Sequence, residues 1–83
     1  ALLDQTFPPL PAAAHAPLLE FLSTQVQEAL GEQEAELIQF LHSHVLGGKS
    51  TAEMLQELQI VLEDEAHAFL QAVWQKVQEL QRL

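Results

Sequence analysis

The sequence contains no cysteine and only three basic residues, and both absences restrict its chemistry. Without cysteine there is neither a disulfide framework nor a thiolate zinc site. The only bases are Lys49, Lys76 and Arg82, whereas a surface that binds phosphates needs several clustered cations. The composition therefore argues against direct nucleic-acid binding by this chain.

Long apolar runs are also missing. No run approaches the roughly 18 residues that a membrane-spanning helix needs, and the N-terminus lacks the basic and apolar regions of a signal peptide. We therefore expect no membrane association. Because the chain begins with Ala rather than Met, we expect it to be a segment of a longer protein. A domain of 83 residues has little volume for a deep catalytic cavity, so we expect no enzyme and no cofactor.

Acidic residues are abundant: 12 acids against 3 bases give a formal charge of −9. Such a charge repels anionic membranes and favours a cationic partner. The same acids also serve as solvated faces that keep the protein soluble. The charge alone leaves both interpretations open.

Residues 1–16 differ in composition from the rest, because they include the Pro-rich stretch TFPPLP followed by three alanines. Proline lacks the amide proton and favours polyproline II geometry, so we predict an extended Pro- and Ala-rich lead-in. Two apolar side chains within it, Phe7 and Leu10, either dock on the domain or contact a partner.

From Pro17 onward, apolar residues recur at helical spacing and no segment alternates like a strand. We predict an all-α fold in which residues 17–83 form a compact four-helix bundle. The predicted helices cover about 17–30, 33–46, 51–62 and 64–81.

Residues that start and stop helices support these boundaries. Gly31 suits the left-handed position after a helix, and Gly47-Gly48 ends the second helix. Ser50 and Glu53 have the spacing of a capping box at the start of the third helix.

Acids cluster where two helices are predicted to begin, and helix macrodipoles favour negative charge there. Glu32, Glu34 and Glu36 lie near the start of the second helix. We expect Asp64 and Glu65 to cap the fourth helix.

The predicted inner faces are apolar stripes at spacings of three and four residues. In chain order they comprise Leu18, Leu22, Val26, Ala29, Leu37, Phe40, Leu41, Val45, Met54, Leu55, Leu58, either Val61 or Leu62, Ala66, Phe69, Leu70, Val73, Val77 and Leu80. The single tryptophan, Trp74, packs at the edge of the bundle or anchors an interface.

Two motifs mimic chemical sites. The GGKS run at residues 47–50 matches the tail of a Walker A motif, but Ser43 stands where that motif needs glycine and a helix is predicted where it needs a strand. We interpret it as an interhelical turn. His42 and His44 point about 200° apart on a helix, so we expect a surface His42, a half-buried His44 and no metal site.

Roughly residues 20–80 resemble a known family. The run VLEDEAHAF from Val61 to Phe69, followed by Val73-Trp74, is similar to the last-helix signature of PWI domains, which occur in nuclear pre-mRNA splicing proteins. Where that family has its Pro-Trp-Ile triplet, this chain has Glu20-Phe21-Leu22. The residues that carry the resemblance are Phe21, Leu22, Gly31, Leu37, Phe40, Leu62, Ala66, Phe69 and Trp74.

The resemblance implies a four-helix bundle and a nuclear RNA-processing context. Some PWI domains bind nucleic acid with the help of a basic flank, but residues 2–16 here contain no Lys or Arg. Our hypothesis is a non-enzymatic interaction domain whose acidic surface recognises a basic or Arg/Ser-rich segment of a protein partner. Candidate contacts are Glu32, Glu36, Phe7 and Leu10. Two alternatives stay open: an auxiliary nucleic-acid module with cations outside this chain, and a dimerisation bundle.

Overall fold

Helices occupy nearly all of the chain downstream of the Pro-rich stretch. In a computed structural model, which describes residues 5–83, the elements in order are a 3₁₀ turn at Ala12–Ala14, α1 at His15–Leu30, α2 at Ala35–Leu46, α3 at Thr51–Leu62, a 3₁₀ turn at Glu63–Glu65 and α4 at Ala66–Leu80. No strand occurs in this described part, where β-pairing is confined to an isolated antiparallel bridge between Thr6 and Ser50. The predicted all-helical class is confirmed.

The second half of the chain is one helical stretch with a sharp bend. No non-helical residue separates α3, the 3₁₀ turn and α4, so the described residues contain three uninterrupted helical stretches. Glu63 bends the third stretch with φ 51° and ψ −113°, and α3 consequently packs against α4. The radius of gyration of 11.6 Å agrees with the roughly 12 Å expected for a compact chain of this length.

Helix α1 begins earlier than predicted. Residues 12–16 were expected to be extended, but a 3₁₀ turn starts at Ala12 and α1 starts at His15. Alanine has the highest helix propensity, and Pro17 is the third residue of α1, where the amide has no intrahelical acceptor. Residues 5–11 form no regular element apart from the bridge at Thr6, and residues 1–4 of the predicted lead-in lie outside the described residues.

The predicted helix-stop glycine behaves as expected. Gly31 has φ 81° and its N–H donates to the carbonyl of Gln27 at 2.8 Å, which ends α1 in a left-handed turn. Helix α2 then begins at Ala35 rather than 33.

The two predicted caps differ. The Ser50 hydroxyl accepts a hydrogen bond from the Glu53 N–H at 3.2 Å, which is one half of the predicted capping box. Glu65 is the N-cap residue of α4, but its side chain makes no capping hydrogen bond. Glu65 has φ −88° and ψ −4°, which lie in the helical region and not in the extended region that a capping residue adopts. A favourable interaction of Asp64 and Glu65 with the helix dipole stays a prediction.

The inner face of α2 is rotated relative to the prediction. Ile38 is 6% exposed, whereas Phe40 is 39% exposed and so is not a core residue. The buried positions Ile38, Leu41 and Val45 follow spacings of three and four, which turns Phe40 to the side of the helix. At the end of α3, Leu62 is buried and Val61 is exposed.

The core lies between the helices, with α1 packed on α2 and α4 and α3 packed on α4. Trp74 and Phe21 pack against this core from its edge. The largest fully buried side chains of the core are Leu18, Leu22, Val26, Leu41, Val45, Thr51, Met54, Leu58, Leu70, Val73 and Val77. No helix between residues 5 and 83 is both long enough and apolar enough to cross a bilayer.

Candidate functional site

An open groove lies where the α1–α2 loop meets the C-terminal end of α3. Its volume is about 390 Å³ and it is lined by Leu30, Leu37 and Val61 together with the carboxylates of Glu32, Glu34 and Glu36. The three glutamates are exposed and Leu30 and Leu37 are half-buried. We call this set of six residues the acidic groove, since it combines an apolar base with an anionic edge.

The carboxylates of the acidic groove interact with one another. A side-chain hydrogen bond with Glu32 raises the pKa of Glu34, and the negative charges of Glu32 and Glu36 raise it further. The hydrogen bond favours the protonated form of Glu34, and the like charges of Glu32 and Glu36 repel its carboxylate. The acidic groove is therefore an electrostatically favourable place for a cationic group.

The structure brings together only part of the predicted contact set. Glu32 and Glu36 line the acidic groove. Phe7 is 2% exposed and Leu10 is packed against the core, so the Pro-rich segment docks on its own domain. Of the two alternatives for Phe7 and Leu10, the structure shows docking on the domain. A contact of either residue with a partner stays a prediction.

From the sequence alone, two of the six residues of the acidic groove are assigned to a binding surface, and the other four are Leu30, Glu34, Leu37 and Val61. Glu34 is predicted only as an acid near the start of α2, and Leu37 only as part of the inner face of that helix. The apolar stripe of α3 assigns either Val61 or Leu62 to the core. The apolar Ile60, which falls outside that stripe and is 77% exposed in the structure, is the sequence signal that points to this side of α3.

The residues that carry the family resemblance are mostly structural. Leu22, Leu62, Ala66 and Phe69 are buried in the core, and Gly31 ends α1. The half-buried members are Phe21, Leu37 and Trp74. Among the nine, Leu37 alone lines the acidic groove.

The Pro-rich segment is joined to the turn between α2 and α3 by backbone hydrogen bonds. The Phe7 N–H donates to the carbonyl of Lys49 at 3.0 Å, and the Thr51 N–H donates to the carbonyl of Gln5 at 2.9 Å. The Thr51 hydroxyl donates to the same Gln5 oxygen at 3.1 Å. We call Gln5–Pro11 the strap.

The ring of Phe7 fixes the strap by packing between two other aromatic rings. Its centroid lies 5.7 Å from the Trp74 ring and 6.0 Å from the His44 ring, the latter in an edge-to-face arrangement. His44 Nε2 lies 2.8 Å from the carbonyl oxygen of Ser50, so the imidazole is itself held by the turn. We call the surroundings of the Phe7 ring, formed by His44, Trp74 and the turn at 49–51, the aromatic slot.

The basic side chains lie in separate environments. Lys76 Nζ lies 5.6 Å from the centroid of the Phe21 ring, in a cation–π contact, and lines a groove with Pro17 and Leu19. Lys49 lines a different groove with Phe40. Neither groove pairs Lys49 with Lys76, so these two do not form a joint phosphate site.

The histidines do not form a metal centre. His42 Nε2 lies 3.0 Å from the carbonyl oxygen of His15, and the two rings meet edge to face. His44 is buried, more deeply than the predicted half-burial. Between residues 5 and 83, no group of three or more His, Asp and Glu side chains is arranged to hold a metal ion.

Comparison with known families agrees with this helical architecture. Residues 17–82 match the PWI domain family, and the chain therefore belongs to that family. The matched region contains α1 from Pro17 onward and all of α2, α3 and α4, whereas the strap lies outside it.

Similar proteins carry RNA-related names. RNA-binding motif protein 25 of Arabidopsis thaliana is 33% identical over 60 residues, which cover 72% of this chain and 7% of that protein. RNA-binding protein 25 of Mus musculus and of Homo sapiens are each 32% identical over 54 residues, covering 65% of this chain and 6% of each relative. No solved structure gives a significant match. The chain thus corresponds to a small part of these relatives.

Proposed function

We propose that this PWI domain is a non-enzymatic interaction module of a nuclear RNA-processing protein, and that it binds a basic or Arg/Ser-rich segment of a protein partner. Membership of the PWI family and the names of the relatives support the RNA-processing context. We further propose that residues 17–83 act as one four-helix bundle, with α3 and α4 as separate members.

The observation that carries the proposal is the acidic groove. Three carboxylates surround an apolar base to which Val61 contributes a side chain that is 42% exposed. A basic segment with one apolar residue satisfies both parts, since its aliphatic group covers the base and its cations meet the carboxylates. Arginine suits this role because its guanidinium binds carboxylates in a bidentate manner.

A second candidate is an auxiliary nucleic-acid module. The names of the relatives favour it, but the chain has three bases against 12 acids. Such a module needs cations from outside this chain, and extending the chain would then produce binding with a steep salt dependence.

A third candidate is a dimerisation bundle, which the 77% exposure of Ile60 favours. Self-association on sedimentation, independent of any partner, would support it.

The test is a calorimetric titration of the chain with an Arg/Ser-repeat peptide and, separately, with single-stranded RNA at moderate salt. We expect binding of the peptide that weakens as salt rises, because exposed charges are screened. Replacing Glu32, Glu34 and Glu36 together by glutamine should lower the affinity for the peptide by roughly tenfold. This corresponds to a loss of a few tenths of a kcal/mol or more per charge.

The matched control removes the same charge elsewhere. Glu28, Glu57 and Glu79 are exposed and do not line the acidic groove, so their replacement by glutamine should change the affinity by less than the groove variant does. Micromolar binding of RNA without a response to the peptide would reject the proposal. Equal losses in the two triple variants would reject the acidic groove as the site.

A further inference from the structure

We propose that the aromatic slot is a binding site for an extended Phe-Pro segment of another polypeptide, and that the strap is its occupant in cis. This goes beyond the proposed function, because it uses a different surface and does not depend on the acidic groove. The segment would be recognised by its backbone and by one aromatic side chain.

The backbone part of recognition is a short antiparallel pairing. Thr6 and Ser50 form the isolated bridge, and the flanking hydrogen bonds run from the Phe7 N–H to Lys49 and from the Thr51 N–H to Gln5. Such main-chain bonds are available to any extended segment and recur where peptides add to an exposed edge. The slot therefore accepts a peptide backbone irrespective of which chain supplies it.

The side-chain part is a single aromatic anchor. The Phe7 ring packs within 6.0 Å, between centroids, of both the His44 and the Trp74 rings, and Phe7 is 2% exposed. Edge-to-face and tilted aromatic pairs stabilise such packing beyond the burial of apolar area. An occupant without an aromatic residue at this position loses most of the apolar contact.

The strap is attached in a way that permits exchange. Phe7 is its only buried residue: Pro8 and Leu10 are half-buried, and the others, Gln5, Thr6, Pro9 and Pro11, are exposed. The strap also lies outside the residues that match the PWI family. Its prolines keep the segment extended when it is free, which reduces the entropy lost on docking.

An occupant must be a polypeptide rather than a small apolar molecule. Thr51 is fully buried, and both its amide and its hydroxyl donate to the Gln5 carbonyl. A backbone carbonyl placed beside the anchoring Phe supplies the same acceptor, whereas a small apolar molecule has none.

The strap competes with any incoming segment. A short tether gives the strap an effective concentration of about millimolar or higher, so a free peptide binds the intact chain weakly. Shortening the Phe7 side chain removes the anchor of the competitor while leaving the slot residues His44 and Trp74 in place.

The experiment uses the full chain carrying Phe7→Ala and a synthetic peptide with the sequence of residues 5–11. Trp74 is the single tryptophan, so its emission reports occupation of the slot directly. We expect the peptide to bind the variant at least about tenfold more tightly than the wild type, to change Trp74 emission and to raise the melting temperature of the variant. The same peptide with Ala in place of Phe should not bind.

Pro9→Ala is the matched control, since Pro9 is an exposed strap residue and its replacement leaves Phe7 docked. Equal peptide affinity for Phe7→Ala, Pro9→Ala and wild type would overturn the proposal. So would a Phe7→Ala chain that stays unfolded at millimolar peptide, because Phe7 is then a permanent part of the core. A wild-type chain that forms concentration-dependent dimers, with no binding of the peptide by Phe7→Ala, would assign the slot to a second copy instead.

Discussion

The aromatic slot and the acidic groove show two ways in which a small helical domain treats its surface concavities. Aromatic rings and backbone hydrogen bonds form the slot, and the chain closes it with its own strap. Carboxylates surround the groove, which stays open. A chain with a formal charge of −9 has few cations to close an anionic groove. We infer from this contrast that the excess of acidic residues keeps the acidic groove open to a partner, whereas the uncharged strap covers the aromatic slot.

The comparison assumes that both surfaces rest on one shared core, and Phe69→Ala tests this with the largest expected effect. Phe69 is 6% exposed and lies on the inner face of α4. The substitution should lower the free energy of unfolding by about 3–5 kcal/mol. Chemical denaturation followed by circular dichroism measures it, with Leu19→Ala, at a 39% exposed position, as the mild control. Stability close to wild type would show that the face of α4 is wrongly assigned.

The second prediction compares two phenylalanines that both adjoin His44. Phe7 is 2% exposed and Phe40 is 39% exposed. We expect Phe7→Ala to cost about 1.5–3 kcal/mol, the value for burying a large apolar side chain, because the strap detaches instead of leaving a cavity. Phe40→Ala should cost less than Phe7→Ala. The reverse order in thermal melts would contradict the closed state of the slot.

The third prediction compares the N-terminal ends of α3 and α4. The N-terminal end of α3 adjoins the slot. The Ser50 hydroxyl accepts a hydrogen bond from Glu53, whereas the Glu65 side chain makes no capping bond. Ser50→Ala should therefore cost about 1 kcal/mol, and Glu65→Ala should stay within about 0.5 kcal/mol. Urea denaturation of the two variants provides the measurement. Equal losses would mean that Glu65 caps α4 after all.

The smallest expected effect is electrostatic and belongs to the acidic groove. Glu32 raises the pKa of Glu34 above its ordinary value of 4.5. A group whose pKa is higher in the folded state favours folding at low pH, and that contribution is lost as the pH rises through the folded pKa. At about pH 3, where the Glu34 carboxyl is protonated, Glu34→Gln should therefore have the same melting temperature as the wild type. At neutral pH its melting temperature should be higher than that of the wild type.

Salt provides the control for this last prediction, since added salt screens exposed charges and should shrink the difference at neutral pH. A Glu34→Gln chain that melts below the wild type at neutral pH would show that the carboxylate is stabilised by its surroundings. The acidic groove would then not be the unneutralised surface described above.

Local chemistry explains what the sequence could predict. Gly31 ends α1 and Ser50 caps α3 as expected, since both roles depend on one residue and its immediate neighbours. The buried stripe of α4 follows from its spacing, and Phe69 lies where it was expected.

Long-range contacts explain what the sequence could not predict. Whether Phe7 docks or stays free depends on His44 and Trp74, which are remote in sequence. The rotation of α2 that exposes Phe40 and buries Ile38 depends on packing against its neighbours. The acidic groove unites Glu32 with Val61 only because the end of α3 reaches the α1–α2 loop.

The most direct test of the central claim is an NMR titration of the labelled chain with an Arg/Ser-repeat peptide and with single-stranded RNA. The account predicts that the peptide shifts the amide signals of residues 32–37 and of Val61, and that RNA leaves the spectrum unchanged. Shifts produced by RNA at Lys49, Lys76 and Arg82, with no response of the acidic groove to the peptide, would contradict it.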